Sequence, residues 1–208
     1  MVAKNEALSQ SVYLYLTEQI MSGGFKPGEK ISECAVAESY GISRTPVRDA
    51  MRRLDNEGIM RIFPKRFAQV STYTEDDIRE VGYMRLTLDR MAVRLAMRYG
   101  SMSDFDALEE IANACLEAYR CDDRMRRTAL DARFHMQLAE IARNSLLLKF
   151  QEEINVRVQF ILTYYRTNWV NEERHLYQHN ELVTCLRHQD LAGGLQLVSD
   201  HLVKFYDL

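Results

Sequence analysis

Asp131 and His135 stand four residues apart in LDARFHMQL, so a helix carries them one turn apart on a single face. A carboxylate and an imidazole at that spacing suit a first-row divalent cation, and two further histidines can complete the set. His179 and His201 lie ten and twelve residues to either side of Gln189. An antiparallel helical pair folded at Gln189 brings both to nearly the same height. A single histidine is ordinarily a satisfied core or surface residue, but four ligands at compatible heights form a site for zinc first, with nickel or manganese as alternatives and water at open positions. His175, four residues before His179, can take its place, and His188, beside the turn, reads as exposed.

A second chemistry sits nearer the N-terminus. In GISRTPVRDAMRRLDNEG, residues 41–58, Arg44, Arg48 and Arg52 recur every four residues while Val47, Ala50, Met51 and Leu54 form an apolar stripe. One face packs and the other presents cations. Arginine reads guanine O6 and N7 in bidentate fashion or clamps a phosphate, and the N-terminal end of such a helix comes closest to the bases. The plain alternative is a solvated helix in which Arg48 or Arg52 pairs with Asp49, Asp55 or Glu57.

The elements that would position these residues follow from periodicity and punctuation. Leu8, Val12, Leu16 and Ile20 define a first helix stopping at Gly23-Gly24, and FKPGEKIS is a turn. Ser32 caps a short helix ended by Gly41. Ser43 or Thr45 caps the arginine-bearing helix, with Pro46 in its first turn. IMRIF and FAQVS, joined by the basic PKR, read as a hairpin. Three helices and a hairpin are the plan of a winged helix-turn-helix. From Thr74, followed three residues later by Asp77 in an acid-rich first turn that favours a helix start electrostatically, only helical periodicity follows: one helix to Tyr99, then helices near 103–120, 123–142, 145–168, 171–188 and 190–207. The fold is thus mainly α, a winged helix-turn-helix over 1–72 followed by an all-α six-helix bundle over 73–208.

Composition is that of an ordinary soluble protein: 208 residues, 47% hydrophobic, 27% charged, net charge -3. The charge is uneven, since residues 40–66 hold seven Lys/Arg against three Asp/Glu. Cys34, Cys115, Cys121 and Cys185 show no CxxC spacing and read as reduced thiols, and no signal-peptide or membrane-length apolar run is present. A cytoplasmic protein with no membrane partner is expected.

The segment PGEKISECAVAESYGISRTPVRDAMRRLDNEGIMRIFPKR resembles the DNA-binding domain of the GntR family of bacterial regulators, over about residues 10–70. That resemblance implies a homodimer on a palindromic operator, with Arg44, Thr45 and Arg48 at bases or phosphates, Arg52 at the backbone, and Lys65 and Arg66 in the groove beside the wing. Two departures are Phe67, where members usually have glycine, and Cys34, where some carry arginine. Residues 75–207 resemble the FCD effector domain of the FadR subfamily, and six helices suit its VanR-like branch. In that pattern Asp131, His135, His179 and His201 are metal ligands around the Asp190 junction. Arg85 in YMRLTLD meets an effector carboxylate, and Asn144 in ARNSLL lines the cavity. Asp89 stands where glutamate is usual. For Arg85 the simpler role is a salt bridge with Asp89.

These readings converge on a metabolite-responsive transcriptional regulator, a repressor controlled by a small organic acid. The enzymatic alternative is a metal-dependent hydrolase or lyase using the Asp/His cluster. Against it, the chain has no glycine-rich phosphate loop, GxSxG, HExxH or CxxC, and no carboxylate pair beside the cluster, so no enzyme is expected.

Overall fold

The computed structural model describes residues 2–63, 67–165 and 172–208, and the chain divides into two compact units, Met1–Tyr73 and Thr74–Leu208. In the first unit, α1 (Val2–Met21) packs on α3 (Arg44–Asn56), with α2 (Glu33–Tyr40) beside α3. Val12, Leu16 and Ile20 are fully buried, as are Val47, Ala50 and Leu54, so the stripes of α1 and α3 form one core. Ser32 accepts from the Ala35 amide to begin α2, and Gly41 ends it at φ 61°, a left-handed conformation that glycine adopts without strain. Ser43 occupies the N-cap position of α3, but its side chain makes no capping bond and Thr45 lies inside the helix, so neither expected side-chain cap forms. Pro46 in the first turn has no N–H to satisfy there.

The hairpin is β2 (Met60–Phe63) and β3 (Phe67–Val70), antiparallel with Phe63 opposite Phe67. A strand that the sequence reading assigned to a turn, β1 (Lys30–Ile31), pairs with the other edge of β3 and gives the order β1-β3-β2. Two residues are too few for an alternation signal. Ile31 is nonetheless buried, which fixes its register. Lys65 and Arg66, expected beside the wing, lie outside the described residues.

The second unit contains α4 (Glu75–Tyr99), α5 (Met102–Arg120), α6 (Arg124–Ile141), α7 (Ser145–Tyr164), α8 (Glu172–Arg187) and α9 (Leu191–Tyr206). Reciprocal capping boxes, Thr74 with Asp77 and Ser101 with Asp104, set the starts of α4 and α5. Helix α7 ends at Tyr164, short of the expected 168, and residues 166–171 lie outside the described set. Gln189 turns the α8–α9 pair at φ 56°, and Asp190 caps α9 by accepting from the Gly193 amide. Helix α4 packs on α6, α7 and α9, and α6 also packs on α5 and α7. Phe134, Leu138 and Phe160 are fully buried among them.

Gly82 lets α4 approach α9 closely. A methyl group there would lie 2.5 Å from Cβ and Cγ of Tyr206, atoms near the backbone that cannot swing aside. Gly82→Ala should therefore lower stability by about 1–3 kcal/mol, seen as a drop of several degrees in Tm by circular dichroism. An unchanged Tm would mean that α9 yields freely at this contact.

Candidate functional site

Helix α6 presents Asp131 and His135 inward one turn apart, α8 contributes His179 and α9 contributes His201. One ligand atom from each lies within 4.8 Å of the others, and all four side chains are buried. The His135 ring is 5.3 Å from that of His179 and 5.5 Å from that of His201, and the latter two are 4.8 Å apart. The expected set is therefore brought together, because the α8–α9 turn equalises the heights of its two histidines. His188 is exposed with Nδ1 on the Thr184 carbonyl, as its place beside the turn suggested.

Nε2 of His135, both ring nitrogens of His179 and Nε2 of His201 are buried without a hydrogen-bond partner. Orphaned polar atoms at this density are rare in folded proteins, and three imidazole nitrogens with one carboxylate are the donor set that first-row divalent cations take. The residues fit such an ion. Burial pushes His179 down to about 3 and holds His201 well below its ordinary value, so both imidazoles are neutral, the form that binds metal. Burial alone would raise the Asp131 carboxyl, but the adjacent Arg85 guanidinium overrides it and holds the group below the usual carboxylate range.

Arg85, 1% exposed, donates from Nη2 to Asp131 Oδ2 at 2.9 Å and from Nη1 to the Tyr206 hydroxyl at 3.1 Å. Its Nε is 3.8 Å from Asp89 Oδ2. The side chain expected to greet an effector is thus occupied within the domain, through Asp131 and Tyr206 more closely than through Asp89. Asp89, fully buried, sets Oδ2 at 2.8 Å from His135 Nδ1, an ion-pair distance without hydrogen-bond alignment, and Oδ1 accepts from Gln151 Nε2 at 3.0 Å. Arg127 is buried as well, so two guanidiniums stand against two carboxylates in this interior.

Asn144, expected to line the cavity, is the N-cap of α7, its Oδ1 accepting from the Leu146 and Leu147 amides. Arg127 and Thr128, which sequence reasoning missed, line a cavity of about 10 Å³ with Asp131, His175 and Phe205. The signal available was spacing, since Arg127 lies one turn before Asp131 on the same face of α6. His175 stacks on His201, ring centroids 3.5 Å apart.

Acid should weaken the metal-free protein. His175, His179 and His201 are all depressed by burial, so the unfolded chain binds their protons first as pH falls through 6.5, while the fold resists until far lower, about 3 for His179. Their stabilisation is complete above pH 6.5 and is lost as pH falls below it, by about 1.4 kcal/mol per pH unit per histidine. Chelator-treated protein should show a falling urea midpoint between about pH 6.5 and 4.5, and a flat profile would contradict the burial of neutral imidazoles.

In the first unit Arg44, Thr45, Arg48 and Arg52 all lie exposed on α3, opposite its buried stripe. Arg48 does not take the same-helix partners of the plain alternative. It reaches across to α2, where Nε and Nη2 donate to Glu33 at 3.2 and 2.7 Å. Arg52 is only loosely paired, 3.9 Å from Asp49, and Glu57 is taken by Arg53 and Tyr13. Phe67, at the departure from family pattern, packs on Phe63, and Lys30 Nζ sits 4.4 Å above its ring.

Residues 8–70 match the bacterial regulatory proteins of the gntR family, and residues 80–204 match the FCD domain. The chain is 26% identical over 190 residues to the uncharacterized HTH-type transcriptional regulator YdhC of Bacillus subtilis, covering 91% of this chain and 85% of that one. It is 26% identical over 183 residues to the Nta operon transcriptional regulator of Aminobacter aminovorans, covering 88% and 85%. The solved structure of Escherichia coli McbR/YncC aligns over 96% of this chain and 97% of its own at TM-score 0.78 and 23% identity, a likeness of fold. A putative GntR regulator from Rhodococcus sp. RHA1 aligns over 96% and 95% at TM-score 0.82 and 20% identity. These families and relatives are transcriptional regulators, and none supports the hydrolase or lyase alternative. The four cysteines are free, and among the described residues no helix is long and apolar enough to cross a membrane. Helix-turn-helix, wing and all-helical bundle thus belong to one lineage: the chain is a member of the GntR family of bacterial transcriptional regulators, with an FCD domain following its DNA-binding module.

Proposed function

We propose that this regulator is a cytoplasmic repressor of the FadR subfamily, VanR-like branch, which binds a palindromic operator as a homodimer and responds to a small organic acid at a metal-bearing cavity. The observation that carries the reading is the buried Asp131, His135, His179 and His201 set with its orphaned imidazole nitrogens. A divalent ion, zinc first and nickel or manganese as alternatives, would be held by these four and would supply charge for a carboxylate. On the DNA side, Arg44, Thr45 and Arg48 approach bases or phosphates and Arg52 the backbone, with Lys65 and Arg66 beside the wing.

Arg85 supports a route between the two activities. Its bonds to Asp131 and Tyr206 tie α4 to α6 and α9, and α4 directly follows the DNA-binding unit in the chain. An acid that enters beside Asp131 competes for those bonds and so favours a different placement of α4. Because both half-sites must be met at once, a small change in subunit spacing lowers operator affinity strongly. Titrating small metal-chelating acids into the protein–operator complex should shift affinity by about 5–150-fold. Acids that bind the protein yet leave operator affinity unchanged would sink the allosteric reading. The occupation of Arg85 by Asp131 and Tyr206 supports a second reading in which the metal is structural and the acid binds elsewhere in the domain. Reversible metal removal without loss of acid binding would select it.

A further inference from the structure

We propose that Asp89 is a positioning residue for the ligand cluster, holding His135 so that Nε2 is the atom given to the metal. The proposal rests on the metal-bearing reading of that cluster. Its basis is a correspondence between two helices. On α6 the ligands Asp131 and His135 are one turn apart, and on α4 Arg85 and Asp89 have the same spacing and lie behind them in the same order. Arg85 holds Asp131 Oδ2, leaving Oδ1 toward His179 Nε2 at 3.5 Å. Asp89 Oδ2 lies 2.8 Å from His135 Nδ1, a charge contact outside hydrogen-bond alignment, and Nε2 on the far side of the ring is buried with no hydrogen-bond partner.

A carboxylate 2.8 Å from Nδ1 favours by its charge the tautomer with the proton there and the lone pair on Nε2, although the pair is not aligned as a hydrogen bond, and that charge makes the lone pair a stronger donor. Asp89 is itself held. Gln151, 1% exposed on α7, donates to its other oxygen, so Gln151, Asp89 and His135 form a chain ending at the cluster. The competing account makes Asp89 merely the counter-charge of Arg85. The distances oppose it: Arg85 Nε is 3.8 Å away, and the hydrogen bonds of that guanidinium go to Asp131 and Tyr206. A buried carboxylate is costly to retain, and its nearest polar partners here are a ligand histidine and the glutamine that fixes it.

The test uses the full-length protein, Asp89→Asn and Asp89→Ala, with zinc affinity read by competition against a chromophoric chelator. Cobalt(II) absorption reads the geometry at the ligands, and the Tm of chelator-treated protein reads the fold. Asp89→Ala should bind zinc about 10–100-fold more weakly, Asp89→Asn should fall between it and the parent, and the cobalt spectrum should change in both. The asparagine variant keeps the shape of the site and serves if the alanine variant does not fold. Zinc affinity in folded variants within twofold of the parent, with an unchanged cobalt spectrum, would overturn the assignment of Asp89 alone. A parent protein that binds neither ion would overturn the metal reading and this proposal with it.

Discussion

Protein purified without a histidine tag should carry about one equivalent of a transition metal, and His179→Ala should carry close to none. His179 is chosen because neither of its ring nitrogens has a hydrogen-bond partner and its nearest polar contact, Asp131 Oδ1 at 3.5 Å from Nε2, is itself a ligand of the set. His201, by contrast, has Nδ1 3.3 Å from Gln178, and His135 faces Asp89. Alanine also removes the ring stacked 4.2 Å from Phe134 and leaves a gap in the core, so some loss of stability is expected without metal. The two effects separate in thermal melts. Added zinc should stabilise the parent by about 4 kcal/mol when free metal is 1,000 times the dissociation constant, and should leave His179→Ala unmoved. His188→Ala should match the parent in both measurements, since that ring is exposed and makes only a local contact with the Thr184 carbonyl. Equal metal content in parent and His179→Ala would sink the cluster as the binding site.

What was legible in the sequence was what local spacing encodes. Asp131 and His135 announce a shared face, and His179 and His201 become neighbours once a turn at Gln189 is placed. The helix starts at Thr74 and Ser32 were legible because capping chemistry acts within three residues. The contacts that complete the site were not, because they join distant segments: Arg85 to Asp131 spans 46 residues and Asp89 to Gln151 spans 62. No periodicity marks such pairs. Asn144 shows a local role that went unread: a polar residue before an apolar run is also a helix cap, and here it caps α7. Arg48 shows the same limit on a shorter scale. Carboxylates on its own helix suggested the alternative pairing, whereas the partner it takes, Glu33, comes from the preceding helix. That contact depends on how α2 and α3 cross.

The Glu33 contact bears on the second large effect, the loss of operator binding in Arg48→Ala. Glu33 takes Nε and one hydrogen of Nη2, which leaves Nη1 and the other Nη2 hydrogen free to meet a guanine edge. The pair is solvent-exposed, so releasing it costs little if DNA binding requires exchange. A bidentate base contact contributes about 1–3 kcal/mol, and the proposed symmetric dimer would make it twice, so Arg48→Ala should weaken operator binding by about 2–6 kcal/mol, roughly 30-fold to 25,000-fold. Arg52→Ala, assigned to the phosphate backbone, should behave differently, weakening binding to all sequences alike and reducing the salt slope by about one per half-site. Measuring both variants against the operator and against unrelated DNA, across a salt series, separates the roles. If Arg48→Ala lost affinity equally on both DNAs, Arg48 would be a phosphate clamp, and sequence reading would pass to Arg44 and Thr45 at the start of the same helix.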